Sequence, residues 1–221
     1  MSVAVLDAPT KPDSVQSESV SVAVPASPVV PTVPKVSLEA YFELERNSEI
    51  RHEYVDGELI PMPGTTLTHN DIAMNISVAL RIAFRKRKCY VQMEAIRLRV
   101  SPTKYRYPDV MAVCGERVTD EGTPPSLLNP SLVVEVLSPS TTDTDLGKKS
   151  VEYRTLASVT DYLIVSSDEQ FVLHYFRKDA RTWNVTDYKS KEDAIQIAAL
   201  EVTLTLDEIY EGIELTDSVV S

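Results

Sequence analysis

The chain has 221 residues, 33 acidic against 22 basic, and a formal net charge of -11. That balance excludes a protein that coats nucleic acid by bulk charge, because such proteins are basic overall. Hydrophobic residues at 43% and charged residues at 25% fit a soluble globular protein, and the length suits one domain with an appendage or two very small domains; two cysteines, Cys89 and Cys114, are too few for a disulfide framework or a CxxC metal site, which leaves a reducing, cytoplasmic location as the default.

Six prolines fall within the first 34 residues, among Val and Ser and without an aromatic residue. Residues 20–33 are apolar enough to suggest a membrane anchor. No basic segment precedes them, however, and a proline every third residue from Pro25 to Pro34 breaks any spanning helix. Residues 1–36 read as a disordered tail, no membrane contact is expected, and order starts at Ser37.

Ser37 can cap a short helix over 38–46, with Leu38, Tyr41 and Phe42 on one face. Asp56-Gly57 between apolar flanks predicts a hairpin. Residues 68–88 predict the longest helix, its stripe formed by Ile72, Ile76, Leu80, Ala83 and Phe84, its start capped by Thr68 or Asn70. Strands follow at 90–100, with a shift of phase near Ala95 that suggests a bulge, then at 106–114 and at 131–138. A helix over 143–156, a buried strand at 161–166, a meander of strands at 170–177, 181–188 and 194–204, and a short helix at 206–213 complete a mixed α/β (α+β) core with an antiparallel extension at its C-terminal side. Residues 214–221 read as a flexible end.

Two carboxylates do not suit these strands. Glu135 stands inside Val-Val-Glu-Val-Leu, and Asp109 follows Pro108 at the head of a second apolar strand. Unpartnered buried carboxylates cost several kcal/mol each. A hard cation such as Mg²⁺, which takes one or two carboxylates plus water and phosphate oxygens, removes that cost. Hydrogen bonding at a strand edge is the structural alternative.

Tyr-Pro-Asp-Val at 107–110 and Val-Val-Glu-Val-Leu at 133–137 resemble the PD-(D/E)XK nuclease superfamily. Within it, RHEYVDGE at 51–58 and EVLSPSTTDTDLGKK at 135–149 resemble a restriction-endonuclease-like family of unassigned function, over residues 37–213. The resemblance implies a restriction-endonuclease-like core, a mixed central sheet flanked by helices. It also implies Mg²⁺-dependent hydrolysis of DNA phosphodiester bonds, with Mn²⁺ as a substitute, and a homodimer. Asp109, Glu135 and Lys149 are the implied catalytic residues, and Asp109, Glu135 and Glu58 the implied metal ligands. The superfamily pattern puts its lysine two residues after the glutamate, where this chain has Leu137, so the following helix must supply it. Lys149 is the candidate and Lys148 the alternative. Tyr153, one helical turn beyond Lys149, can position the ammonium. Glu58 can equally be a solvent-facing hairpin acid, and His69 either contacts a phosphate or water or is structural. Asp143 and Asp145 suit caps or a first helical turn.

Charge along the chain is uneven. Residues 81–107 hold nine basic residues against Glu94 alone, a local +8 that leaves -19 elsewhere. Arg85, Lys86, Arg87, Lys88, Lys104 and Arg106 are candidate phosphate contacts for DNA; a solvated helix end explains the run from Arg85 to Lys88 equally well. A nuclease-like fold that no longer cuts and acts as a binding or regulatory module is the competing reading, kept open by Leu137.

Overall fold

Ser37 opens the first helix, as its position predicts. In the computed structural model, which describes residues 34–62, 64–137 and 145–215, α1 spans Leu38–Asn47 and the Ser37 hydroxyl accepts a hydrogen bond from the Ala40 N–H. The hairpin β1 (His52–Val55) and β2 (Glu58–Pro61) turns at Asp56 and Gly57, with φ of 52° and 95°, the pair of positive angles that a two-residue turn matching strand twist requires. The expected tail falls outside the described residues up to position 33. Val36 already belongs to the fold, since its N–H donates to the Gly57 carbonyl and its carbonyl accepts from the Tyr54 hydroxyl.

The long helix, α2, covers Leu67–Ala83 and is capped by Thr66, whose hydroxyl accepts from the His69 N–H. It stops five residues short of the expected end, because the chain turns at Lys86, where φ is 63°. The basic run is therefore mostly turn. The predicted strand over 90–100 is two strands, β3 (Cys89–Met93) and β4 (Leu98–Ser101). The break in alternation near Ala95 is the point where the chain leaves one sheet for another, not a bulge. The predicted strand over 106–114 likewise divides into β5 (Lys104–Arg106) and β6 (Val110–Cys114), with Tyr107, Pro108 and Asp109 between them.

Next come β7 (Leu132–Leu137), a π-helical turn at Asp145–Lys149, α3 (Ser150–Thr155) and β8 (Asp161–Ser166). Position 143 lies outside the described residues. The meander is β9 (Val172–Arg177), β10 (Trp183–Tyr188), β11 (Ala194–Ile197) and β12 (Val202–Thr205); in place of one strand over 194–204, the last two form a hairpin around Ala198–Leu200. Helix α4 (Leu206–Ile209) carries a capping box between Thr205 and Glu208.

The central sheet has the order β10-β9-β8-β7-β6-β3 and is antiparallel except for the β7–β8 pair. A smaller antiparallel sheet, β2-β1-β5-β4, stands beside it. Alternation along β7 divides the core. Leu132, Val134 and Val136 pack with Ile72, Ile76 and Leu80 of α2, while Val133 and Leu137 pack with Tyr153 of α3 and Tyr162. Glu135 falls in the second register, so it points into the α3 side. Cys89 and Cys114 face each other across β3 and β6 and form a disulfide. It is a single staple rather than a framework, and one that a reducing compartment disfavours. Among the described residues no helix is long and apolar enough to cross a membrane.

Candidate active site

The strand pairing brings three acids to one level. The β3–β6 ladder ends at Met93 opposite Val110, and the β6–β7 ladder ends at Val110 opposite Val134. The next residue on each strand is acidic: Glu94, Asp109 and Glu135. Beyond this level the Asp109 carboxylate replaces the missing ladder bond, its Oδ2 accepting from the Val136 N–H at 2.6 Å. The regular ladders end here, although the Glu94 N–H still donates to the Asp109 carbonyl at 3.1 Å.

His69 reaches Asp109 from the first turn of α2. Its Nε2 lies 3.2 Å from Asp109 Oδ2, and His69, Glu94 and Asp109 each present one ligand atom within 4.8 Å of the others. Burial works against the imidazolium, but the hydrogen bond to Asp109 and the charges of Asp109 and Glu94 outweigh it and hold the His69 pKa above its ordinary value. Glu94 Oε1 and His69 Nδ1 are buried without a hydrogen-bond partner among the described residues. Two carboxylates, one of them with an orphaned oxygen, and an imidazole suit a divalent cation.

On the α3 side, Lys149 Nζ donates to Glu135 Oε1 at 3.2 Å and lies 3.4 Å from Glu53 Oε1. The Tyr153 hydroxyl donates to the same Glu135 oxygen at 2.6 Å. Burial, and then the Glu135 charge, push the Tyr153 phenol well above its usual range, so it remains a donor. Lys149 is buried and Lys148 exposed, which separates the two lysines. Leu137, where the superfamily pattern has its lysine, is packed into the second core.

Other expected residues stand elsewhere. Glu58 is exposed beside the hairpin turn, opposite Val55, and Glu53 on β1 is the hairpin acid that meets Lys149. Arg106 is 1% exposed and cannot reach DNA. Its guanidinium donates to Glu53 Oε2 at 2.6 Å and to Glu152 Oε2 at 2.9 Å. Lys104 is tied to Glu152 at 2.9 Å and lies 3.6 Å from Asp56. Arg85, Lys86 and Lys88 remain exposed; Arg87 is half-buried and lies 3.2 Å from Glu201.

RHEYVDGE is thus chiefly a brace. The His52 N–H and ring Nδ1 meet Glu45 Oε1 at 2.9 and 3.1 Å, and the other oxygen of that buried carboxylate accepts from the Tyr107 hydroxyl at 2.6 Å. Helix α1 is thereby fastened both to β1 and to the loop that carries Asp109. Glu94 is legible in the sequence only as the single acid in a basic stretch, and Glu45 only as an acid four residues after Tyr41, on the apolar face of its helix.

A family model described as "Uma2: Putative restriction endonuclease" matches residues 38–207. The chain belongs to the Uma2 family. Two relatives from Synechocystis sp. are similar over nearly their whole lengths. The uncharacterized protein slr1290 is 31% identical across 85% of this chain and 97% of its own, and the uncharacterized protein sll1609 is 28% identical across 79% and 99%. A crystal structure from Anabaena variabilis, described as a putative nuclease belonging to DUF820, superposes with a TM-score of 0.63 at 16% identity. It covers 79% of this chain and 97% of that one, and places the Uma2 chain in the same mixed α+β fold.

Proposed function

We propose that this Uma2 protein is a metal-dependent nuclease that hydrolyses DNA phosphodiester bonds. The observation that carries the reading is the convergence of His69, Glu94 and Asp109 where the regular ladders of the central sheet end, with Glu135 on the adjacent strand holding the Lys149 ammonium. Among the described residues, carboxylates outnumber lysines and arginines in this cluster: Glu53, Glu94, Asp109, Glu135 and Glu152 against Lys104, Arg106 and Lys149. His69, Glu94 and Asp109 would hold Mg²⁺ or Mn²⁺, with Glu135 at the adjoining position of the neighbouring strand. A cation bound there supplies an acidified water and neutralises charge on the phosphate.

The protein's own groups do the positioning. Val136 N–H fixes one Asp109 oxygen, Tyr153 fixes Glu135, and Glu53 with Glu135 anchors the Lys149 ammonium. That ammonium meets the phosphate oxygens as negative charge builds on them during water attack and departure of the leaving oxygen. Exposed Arg85, Lys86 and Lys88 offer contacts to flanking phosphates, so binding should weaken steeply with salt.

Plasmid nicking with Mg²⁺ or Mn²⁺ tests the reading. Asp109→Ala and Lys149→Met are expected to be slower than the wild type by about 100-fold or more. Equal rates for wild type and Asp109→Ala would remove the assignment. Calorimetric Mn²⁺ titration of wild type and Glu94→Gln tests the cation site separately. A chain that neither binds the ion nor cuts fits the alternative of a binding or regulatory module, which Leu137 keeps open.

A further inference from the structure

Helix α2 carries an apolar row on the side away from the core. Ile72, Ile76 and Leu80 are fully buried, whereas Met74, Val78 and Ile82, at successive four-residue steps, are 46%, 48% and 53% exposed. They form one wall of an open groove of about 400 Å³, which is also lined by Met93, the last residue of the edge strand β3. The groove adjoins the candidate active site. Met93 is followed directly by Glu94, and Met74 stands about 8 Å along the helix axis from His69. From Met74 to Ile82 the helix rises about 12 Å, the length of about three to four stacked nucleotides of one strand.

The polar groups of the groove say what fills it. Its cations are Arg81 and Arg85, both exposed, and among the described residues neither forms an ion pair. No acid stands among the described residues that line it, in a chain whose net charge is -11. Ser77 lies at its floor, 5% exposed, and the hydroxyl is buried with no hydrogen-bond partner among the described residues. A buried hydroxyl without a partner is costly, so an occupant that brings a donor or acceptor is favoured there. The occupant is thus anionic along one side, apolar along another and polar at its edges. A double helix does not fit, since its base faces are stacked inside and it presents phosphates, sugars and groove edges. A single strand does: its phosphates meet the arginines while its bases lay their faces on the Met74, Val78 and Ile82 side chains. Sites for single strands combine a basic groove with a platform for base faces in this way. Here thioether and aliphatic groups take the place of aromatic rings.

We propose that the groove between α2 and β3 holds a single-stranded segment of DNA beside the scissile phosphate, so that the substrate is DNA unpaired on that side. The inference rests on the nuclease reading for the cutting, not for the binding. Fluorescence anisotropy of the full chain tests it in EDTA, where no bond is cut. The probes are a labelled oligothymidine and the same oligonucleotide paired with oligodeoxyadenosine. The wild type should bind the single strand about tenfold or more tighter than the duplex. Val78→Asp puts a carboxylate on the apolar wall, and Arg81→Glu reverses a phosphate contact. Each should weaken strand binding by about tenfold or more, with circular dichroism as the control for folding. Val78→Asp should leave the weaker duplex binding as it is, because the duplex meets only the exposed cations. Equal affinity for strand and duplex, or variants that hold the strand as the wild type does, would overturn the proposal even in a protein that nicks plasmid DNA. Strand binding that depends on Val78, in a protein that cuts nothing, upholds it and removes the nuclease reading instead. Occupation of the groove by another protein or by a second copy of the chain predicts variants that bind DNA as the wild type does, which is an overturning result.

Discussion

Arg106 reverses its sequence-level chemistry once it is buried. In the linear chain it is one of nine cations in a +8 stretch and a natural phosphate contact. In the fold it is 1% exposed and joins two acids from different elements, Glu53 of β1 and Glu152 of α3. The planar fork of a guanidinium can serve two carboxylates at once, which a lysine ammonium does less well. Arg106→Leu leaves Glu53 and Glu152 without that partner in a mostly water-free setting. We expect a loss of about 3–5 kcal/mol in urea unfolding, the range for breaking a buried ion pair from one side. A surface cation would lose under about 1 kcal/mol in the same measurement. Asp109, Glu135 and Lys149 are legible in the sequence because each is costly or out of place in its local pattern, or follows from the resemblance. Glu53 and Glu94 are not, because their roles depend on which strands are neighbours. Nothing within the hairpin of β1 and β2 states that Glu53 rather than Glu58 turns toward α3.

At the level of elements, the sequence reveals what local chemistry decides. Ser37 caps α1, Asp56-Gly57 makes the hairpin, and the apolar runs at β7 and β8 are buried strands. The stretch from 90 to 114 misleads because a change of sheet and a bulge leave the same break in alternation. The end of α2 is misplaced by sequence because a basic run suits a helix terminus and a turn alike. The hairpin turn is the element most sensitive to one atom. Gly57 sits at φ 95°, and a Cβ built there would lie 2.8 Å from the Lys35 Cβ. Gly57→Ala therefore combines backbone strain with a clash, in the turn that holds Val36 through its carbonyl. A destabilisation of about 1–3 kcal/mol is expected in thermal unfolding. An unchanged midpoint would mean that the turn relaxes freely and does not fix the β1 register.

The net charge of -11 describes the whole molecule poorly, since it sums an exposed basic turn, a buried ionic network and an acidic remainder. Buried phenols describe its limits better. Burial holds Tyr41, Tyr153 and Tyr210 above the ordinary tyrosine range, and burial together with the hydrogen bond to Glu45 pushes Tyr107 up to about 12. An unfolded tyrosine ionises near pH 10. A phenol whose folded pKa is raised contributes its full stability below that pH and loses it as pH rises through the folded value, because the folded state binds the extra proton. For Tyr107 the difference is on the order of 2–3 kcal/mol, and four such groups act in the same direction. The fold should therefore resist change up to about pH 10 and then unfold cooperatively over the next one to two pH units. Phenolate absorbance and circular dichroism, followed in one alkaline titration, check this. The buried phenols should ionise together with the loss of secondary structure. If all the tyrosines ionise gradually while the dichroism stays native, the phenols are reached by hydroxide without unfolding, and the packing that joins α1 to the Asp109 loop is looser than the Tyr107–Glu45 bond implies.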